Sequence, residues 1–190
     1  MAFLEDVWSR NFLNLFASPL TIGEYLVGLV LSSIATSSVG LLLMVALASA
    51  VFGLSFLGYG LLLVPFLLVL FLFGIALGIF GSALVLRFGP ASEWLVWPVP
   101  ALLSPFAAVF YPVATLPHWM RQVSLLLPPT YVFEGIRAIL AGEDYGGAAL
   151  AWSLCLSALY ILIASWFFSR VHRTAVRTGL LARQSAESVT

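Results

Sequence analysis

The residues able to do chemistry are few, and they lie apart. Glu134 and Arg137 are three positions apart, so a helix would place them on one face, where they can form an ion pair. His118 and His172 fall outside the apolar cores of the hydrophobic runs, the only aspartates are Asp6 and Asp144, and the single cysteine, Cys155, lies inside an apolar run. An intramembrane serine protease needs a serine and a histidine facing each other within spans, and a metal-dependent transferase needs clustered carboxylates. Neither constellation is present. One cysteine cannot form an intrachain disulfide or a cysteine-based metal cluster, and a chain without lysine cannot carry the phosphate-cradling G-x-x-x-x-G-K-[ST] loop. No catalytic residue, metal site or cofactor is expected, and any ATP that drives this protein must be hydrolysed by another chain. Cys155 reads as a small packing residue, and His118 and Trp119 as interfacial anchors.

The elements that must position Glu134 and Arg137 belong in a membrane. Of the 190 residues 62% are hydrophobic and 8% charged, and the mean hydropathy is +1.10. Residues 25 to 86 carry no charged side chain. With zero net charge and no groove of arginines interleaved with aromatics, nucleic acid is excluded as a partner.

A bilayer core takes about 20 apolar residues per helix. Dividing the apolar runs at turn signals and charges gives spans over 25–52, 59–86, 93–111 and 148–169. The turn Gly53-Leu-Ser-Phe-Leu-Gly58 makes a helical hairpin of the first two, and Arg87-Phe-Gly-Pro90 separates the second from the third. An even number of spans with both termini cytoplasmic leaves Arg10, Arg87, Arg170, Arg173, Arg177 and Arg183 inside and only Arg121 and Arg137 outside, as the positive-inside rule favours. The tail 170–190 reads as a juxtamembrane helix that frays into a Ser-rich end, and the N-terminus does not read as a secretory signal.

Between the third and fourth spans the chain is too apolar for an ordinary loop and too rich in proline for a spanning helix. Two short helices, near 117–126 and 129–140 with Pro117 and Pro129 in their first turns, form a hairpin over 117–140. Each is about half a membrane thickness long. The hairpin either dips into the outer leaflet as a re-entrant element packed against the spans or lies flat as an interfacial cap. Within it Glu134 and Arg137 are either a gating pair or a structural ion pair.

The first span carries Ser32, Ser33, Ala35, Thr36, Ser37, Ser38 and Gly40, and the second Gly74, Gly78 and Gly81. Such faces serve close helix packing or a polar lining for a substrate. Trp94, Trp97, Phe106 and Tyr111 serve packing, an aromatic belt or a path wall. The segment 1–20 reads as a short cytoplasmic helix, with Leu4, Trp8, Phe12, Leu15 and Phe16 on one side, that lies on the membrane surface or docks into another protein.

Taken in order, these segments resemble the permease subunits of type-2 ATP-binding-cassette (ABC) exporters. The resemblance is carried by Phe110-Tyr-Pro-Val, Leu116-Pro-His-Trp, Leu127-Pro-Pro-Thr-Tyr and Glu134-Gly-Ile-Arg137 ahead of the last span, and by Trp8-Ser-Arg-Asn-Phe-Leu-Asn-Leu-Phe-Ala-Ser-Pro-Leu20 followed by Glu24-Tyr25. With the four transmembrane helices read above, it implies an all-α polytopic membrane protein with a re-entrant helical hairpin before the last span and an N-terminal coupling-type helix, forming one permease domain over 1–190. It also implies a separate ABC ATPase subunit, a second permease copy or paralogue, surrounding membrane lipid and the plasma membrane of a prokaryote. By position, the ATPase-coupling contacts fall on Trp8, Arg10, Asn11, Leu13, Asn14 and Phe16. The re-entrant gate falls on Tyr111, Pro112, Pro117, Trp119, Pro128, Pro129, Tyr131, Glu134 and Arg137.

The family pattern has six spans, and the match begins in the loop after its second. An internal start, a fragment, or a missing half supplied by another chain would each account for that. The rival from another class is a membrane scaffold or truncated permease without transport activity. A stand-alone channel would need a ring of charges or carbonyls of which the uncharged first two spans give no sign.

Overall fold

The computed structural model describes residues 21–52, 63–89, 92–143 and 146–177. The expected coupling segment 1–20, the turn 53–58 and the end of the tail lie outside these residues. Every regular element among them is helical: α1 Ile22–Phe52, α2 Leu63–Phe88, α3 Glu93–Val96, α4 Val99–Leu103, α5 His118–Ser124, α6 Pro128–Leu140 and α7 Gly147–Arg177, with a 3-10 turn at Val113–Thr115. Of these, α1, α2 and α7 are long and apolar enough to cross a membrane. The protein is an all-α polytopic membrane protein.

Local chemistry sets the helix ends. Thr21 and Glu24 form a reciprocal cap at the start of α1: the Thr21 N–H donates to Glu24 Oε2 at 2.8 Å and the Glu24 N–H to Thr21 Oγ1 at 3.3 Å. Gly142, at φ 75°, ends α6 by donating to the Ile139 carbonyl while the Glu143 N–H reaches back to Ala138 at 2.9 Å. α7 is 31 residues long, about 46 Å, so it outruns a hydrocarbon core of about 30 Å and carries the expected juxtamembrane helix as far as Arg177.

Packing fixes the topology. At one end Ile79, Ala83 and Leu86 of α2 meet Ala164, Phe168 and Ala175 of α7. At the other, Phe66 and Val69 neighbour Leu150 and Leu154. The two helices therefore run parallel, and the chain between Phe88 and Gly147 has to return across the layer they span. α1 runs antiparallel to α2, its first turn tied in by Tyr25, whose ring stacks on Phe168 at 6.5 Å. Farther along, α1 leans away, and Leu31, Leu42, Leu43, Met44, Leu47 and Val51 are exposed.

The return is made by residues 92–111, and here the structure differs from the continuous third span read from hydropathy. The stretch is broken into α3, α4 and a run of turns over 104–111. Pro98, Pro100 and Pro105 explain the break, because each lacks an N–H donor and crowds the preceding turn. The path remains traceable along α2: Val96 packs near Ile79 and Ala83, Leu103 and Ala107 near Phe73, and Val132 of α6 near Phe66 and Val69. Phe66 to Leu86 is about 30 Å of helix, so these contacts climb nearly a full membrane thickness.

Candidate functional site

Side-chain hydroxyls meet irregular backbone in the half of the molecule away from the basic ends of α2 and α7. There α5 and α6 meet at a corner, Leu125–Leu127, bent by 99°. The corner is deep. Leu127 is buried with Phe73 and Ala107, and the Tyr160 hydroxyl donates to the Leu126 carbonyl at 3.2 Å. Phe73 lies about 15 Å from the start of α2 and Tyr160 about 20 Å from the start of α7. Backbone that turns at such depth must have its polar groups met by protein, and here side chains meet them. Tyr131 donates to the Leu125 carbonyl at 2.9 Å, Thr130 to Phe106 at 3.4 Å, and Tyr111 to Pro105 at 2.7 Å.

The expected Glu134–Arg137 pair forms, with Arg137 Nη1 at 2.8 Å from Glu134 Oε1. Each partner also holds the broken segment. Arg137 Nη2 donates to the Ala108 carbonyl and, at 3.0 Å, to that of Val109, while Glu134 Oε1 accepts the Val113 N–H at 2.9 Å. Ala108 is fully buried and sits at φ 53°, a conformation costly for a residue with a Cβ. The pair thus fastens α6 to the 104–115 stretch as a latch. Only about a third of each side chain is exposed.

Pro128 and Pro129 occupy the first turn of α6 and are buried, while Pro117 caps α5 and is exposed. Pro112 precedes the 3-10 turn and accepts from Thr115 at 2.7 Å. Trp119 is exposed and meets the Phe106 ring edge-on at 6.1 Å. The structure therefore gathers Tyr111, Pro112, Pro128, Pro129, Tyr131, Glu134 and Arg137 around one corner, with Trp119 at its rim. The coupling residues Trp8, Arg10, Asn11, Leu13, Asn14 and Phe16 lie outside the described residues.

A cavity of about 590 Å³ opens where α1 leans from α2, lined by Ser33, Ser37, Gly40, Gly74, Gly78 and Ser82 among leucines and isoleucines. Among the described residues nothing lies within 4 Å of a Cβ added at Gly74 or Gly78, so no described helix packs closely on either. At Gly81 one does: a Cβ there would lie 2.7 Å from Val96 Cγ1. One other reading changes. Cys155 is exposed on the outer face of α7 rather than packed, because the helical period turns Ser153, Leu156 and Ser157 inward. His172 is buried, its ring stacked on Phe168 at 6.3 Å.

Sequence reasoning missed Ala108 and Val109. Their role is played by backbone carbonyls, and only the prolines on either side mark the region as irregular.

No curated protein and no solved structure matches the chain. The family model described as ABC-2 family transporter protein matches residues 2–169, and with the membrane-spanning helices and the proline-bounded hairpin before the last of them it shows that the chain belongs to that family, as a membrane permease component of an ABC transporter.

Proposed function

We propose that this permease forms the substrate pathway of an ATP-driven exporter, working with a separate ATPase subunit and a second permease copy or paralogue. The latch carries the reading. A half-buried ion pair hydrogen-bonded to backbone carbonyls of a broken span ties that span to α6, and release of this one tie would free both segments, as a gate at the external side requires. The exposed length of α1 and its cavity with α2 support a neighbouring permease or a pathway wall on that side. In this arrangement the basic ends of α2 and α7 and both termini face the cytoplasm of a prokaryotic cell. The re-entrant hairpin closes the outer side, and the segment 1–20 receives the push of the ATPase through Trp8, Arg10, Asn11, Leu13, Asn14 and Phe16. Nucleotide binding then shifts the population between inward- and outward-facing states.

The test uses the permease co-reconstituted with its ATPase in vesicles. Replacing Asn11 and Phe16 with Asp should abolish permease-dependent stimulation of ATP hydrolysis while the permease itself still inserts and folds. Unchanged stimulation would overturn the coupling assignment.

A further inference from the structure

The last helix carries one exposed stripe whose character changes along its length. Leu159, Leu162, Ile163 and Trp166 are followed by Arg170, Arg173 and Arg177 at steps of three and four, and all seven are exposed. The apolar part lies within the span 148–169 read from hydropathy and the basic part follows it. Where they join, the Arg170 guanidinium sits 5.3 Å above the Trp166 ring, and a tryptophan beside an arginine is the pairing that headgroup layers favour. A cleft of about 310 Å³ is lined by Trp166, Arg170, Arg173, Thr174 and Arg177. A second cleft of about 230 Å³ shares Arg170 and Thr174 with it and adds Arg87 from the end of α2.

Four guanidinium groups therefore border two adjoining clefts to which no described residue brings a carboxylate. Arg173 Nε is held by the Ser169 carbonyl of its own helix at 3.3 Å, which steadies the side chain where it lines the first cleft. Guanidinium forks suit the oxygens of a phosphate, and a juxtamembrane cluster of this size attracts anionic lipid.

We propose that this stripe is a binding site for an anionic glycerophospholipid. Its phosphate sits among Arg170, Arg173 and Arg177 with Arg87 alongside, and one acyl chain follows Trp166, Ile163, Leu162 and Leu159 into the bilayer. The amphiphile's own order, charged head then chain, matches the order along the helix. A soluble phosphate would use only the basic half, and an acidic protein surface would have no use for the apolar half. The site needs only the membrane environment and is independent of the transport reading.

The full chain in mild detergent is titrated with dioleoylphosphatidylglycerol or dioleoylphosphatidylcholine, and bound lipids are counted by native mass spectrometry. Phosphatidylglycerol should bind preferentially. Arg170→Gln and Arg173→Gln should each weaken it about fivefold, Trp166→Ala should shorten its retention, and Arg121→Gln, on α5, should leave it unchanged. Arg173 is exposed and, among the described residues, bonds to its own helix, so the single substitution keeps the test valid if a multiple variant fails to fold. Equal binding of the two lipids, or no response to the arginine substitutions, overturns the site. Competition by sn-glycerol 3-phosphate as strong as by the lipid would assign it to free phosphate instead. Loss of ATPase association with lipid binding intact would make it a protein contact, which also overturns the proposal.

Discussion

Arg137 reaches from α6 to the carbonyls of Ala108 and Val109, 29 and 28 residues earlier in the chain, while its other terminal nitrogen holds Glu134 at 2.8 Å. One guanidinium thus fixes the backbone of a span too broken by prolines to fix itself. Charged hydrogen bonds of this kind contribute about 1.5–3 kcal/mol each. Arg137→Gln should therefore destabilise the protein by about 2–3 kcal/mol, read from its unfolding in detergent. Arg137→Lys should recover less than half of that, because an ammonium cannot span two carbonyls and a carboxylate with the geometry of a planar fork. Full rescue by lysine would mean that only charge matters at this position.

Glu134 plays the smaller part. Its carboxylate accepts from Arg137 and from the Val113 N–H, and Glu134→Gln retains an acceptor for the latter while removing the charge. A loss of about 1 kcal/mol is expected. In a double-mutant cycle with Arg137→Gln the two losses should fall short of adding, by about 0.5 kcal/mol or more, since residues of one network couple. Strict additivity would show that each residue holds the broken segment on its own.

The three glycines of α2 look alike in sequence and should respond differently. Gly81 abuts Val96, whose branched side chain has little freedom to turn away, so Gly81→Ala should cost about 1–3 kcal/mol and be partly relieved by Val96→Ala. Gly74 has no described residue within 4 Å of the added carbon. Gly74→Ala should be neutral or stabilising by up to about 1 kcal/mol, the usual gain in helix propensity. Melting curves of the three variants in one detergent settle the comparison, and equal effects at both glycines would contradict the packing of α3 on α2.

That contrast shows where legibility ends. The long apolar runs of α1, α2 and α7 were readable because hydrophobicity over about 20 residues has one structural meaning in a bilayer. Glu134 and Arg137 were readable as a pair because i,i+3 spacing is local. Their ties to Ala108, Val109 and Val113 were not, since a carbonyl or an amide at long range leaves no mark in the residue type. The prolines at 98, 100 and 105 were visible, yet the hydropathy of 93–111 outweighed them. Apolar neighbours point Cys155 inward, a rule that fails in a helix whose outward face is apolar too. Gly74, Gly78 and Gly81 all read as close-packing positions, and only the approach of Val96 tells them apart.

The parallel packing of α2 and α7 makes the last prediction, which concerns the broken segment itself. If 92–111 returns the chain across the layer, Phe88 and Val176 lie on one side of the membrane and Glu143, in the turn between α6 and α7, on the other. All three are exposed. In a Cys155→Ser background, which removes the single native thiol, Phe88→Cys and Val176→Cys should react with a membrane-impermeant maleimide from the same side of sealed vesicles. Glu143→Cys should react only from the opposite side. Reaction of Phe88→Cys and Val176→Cys from opposite sides would separate the C-terminal ends of α2 and α7 by a membrane. The contacts of Ala83 and Leu86 with Phe168 and Ala175 would then have to be abandoned.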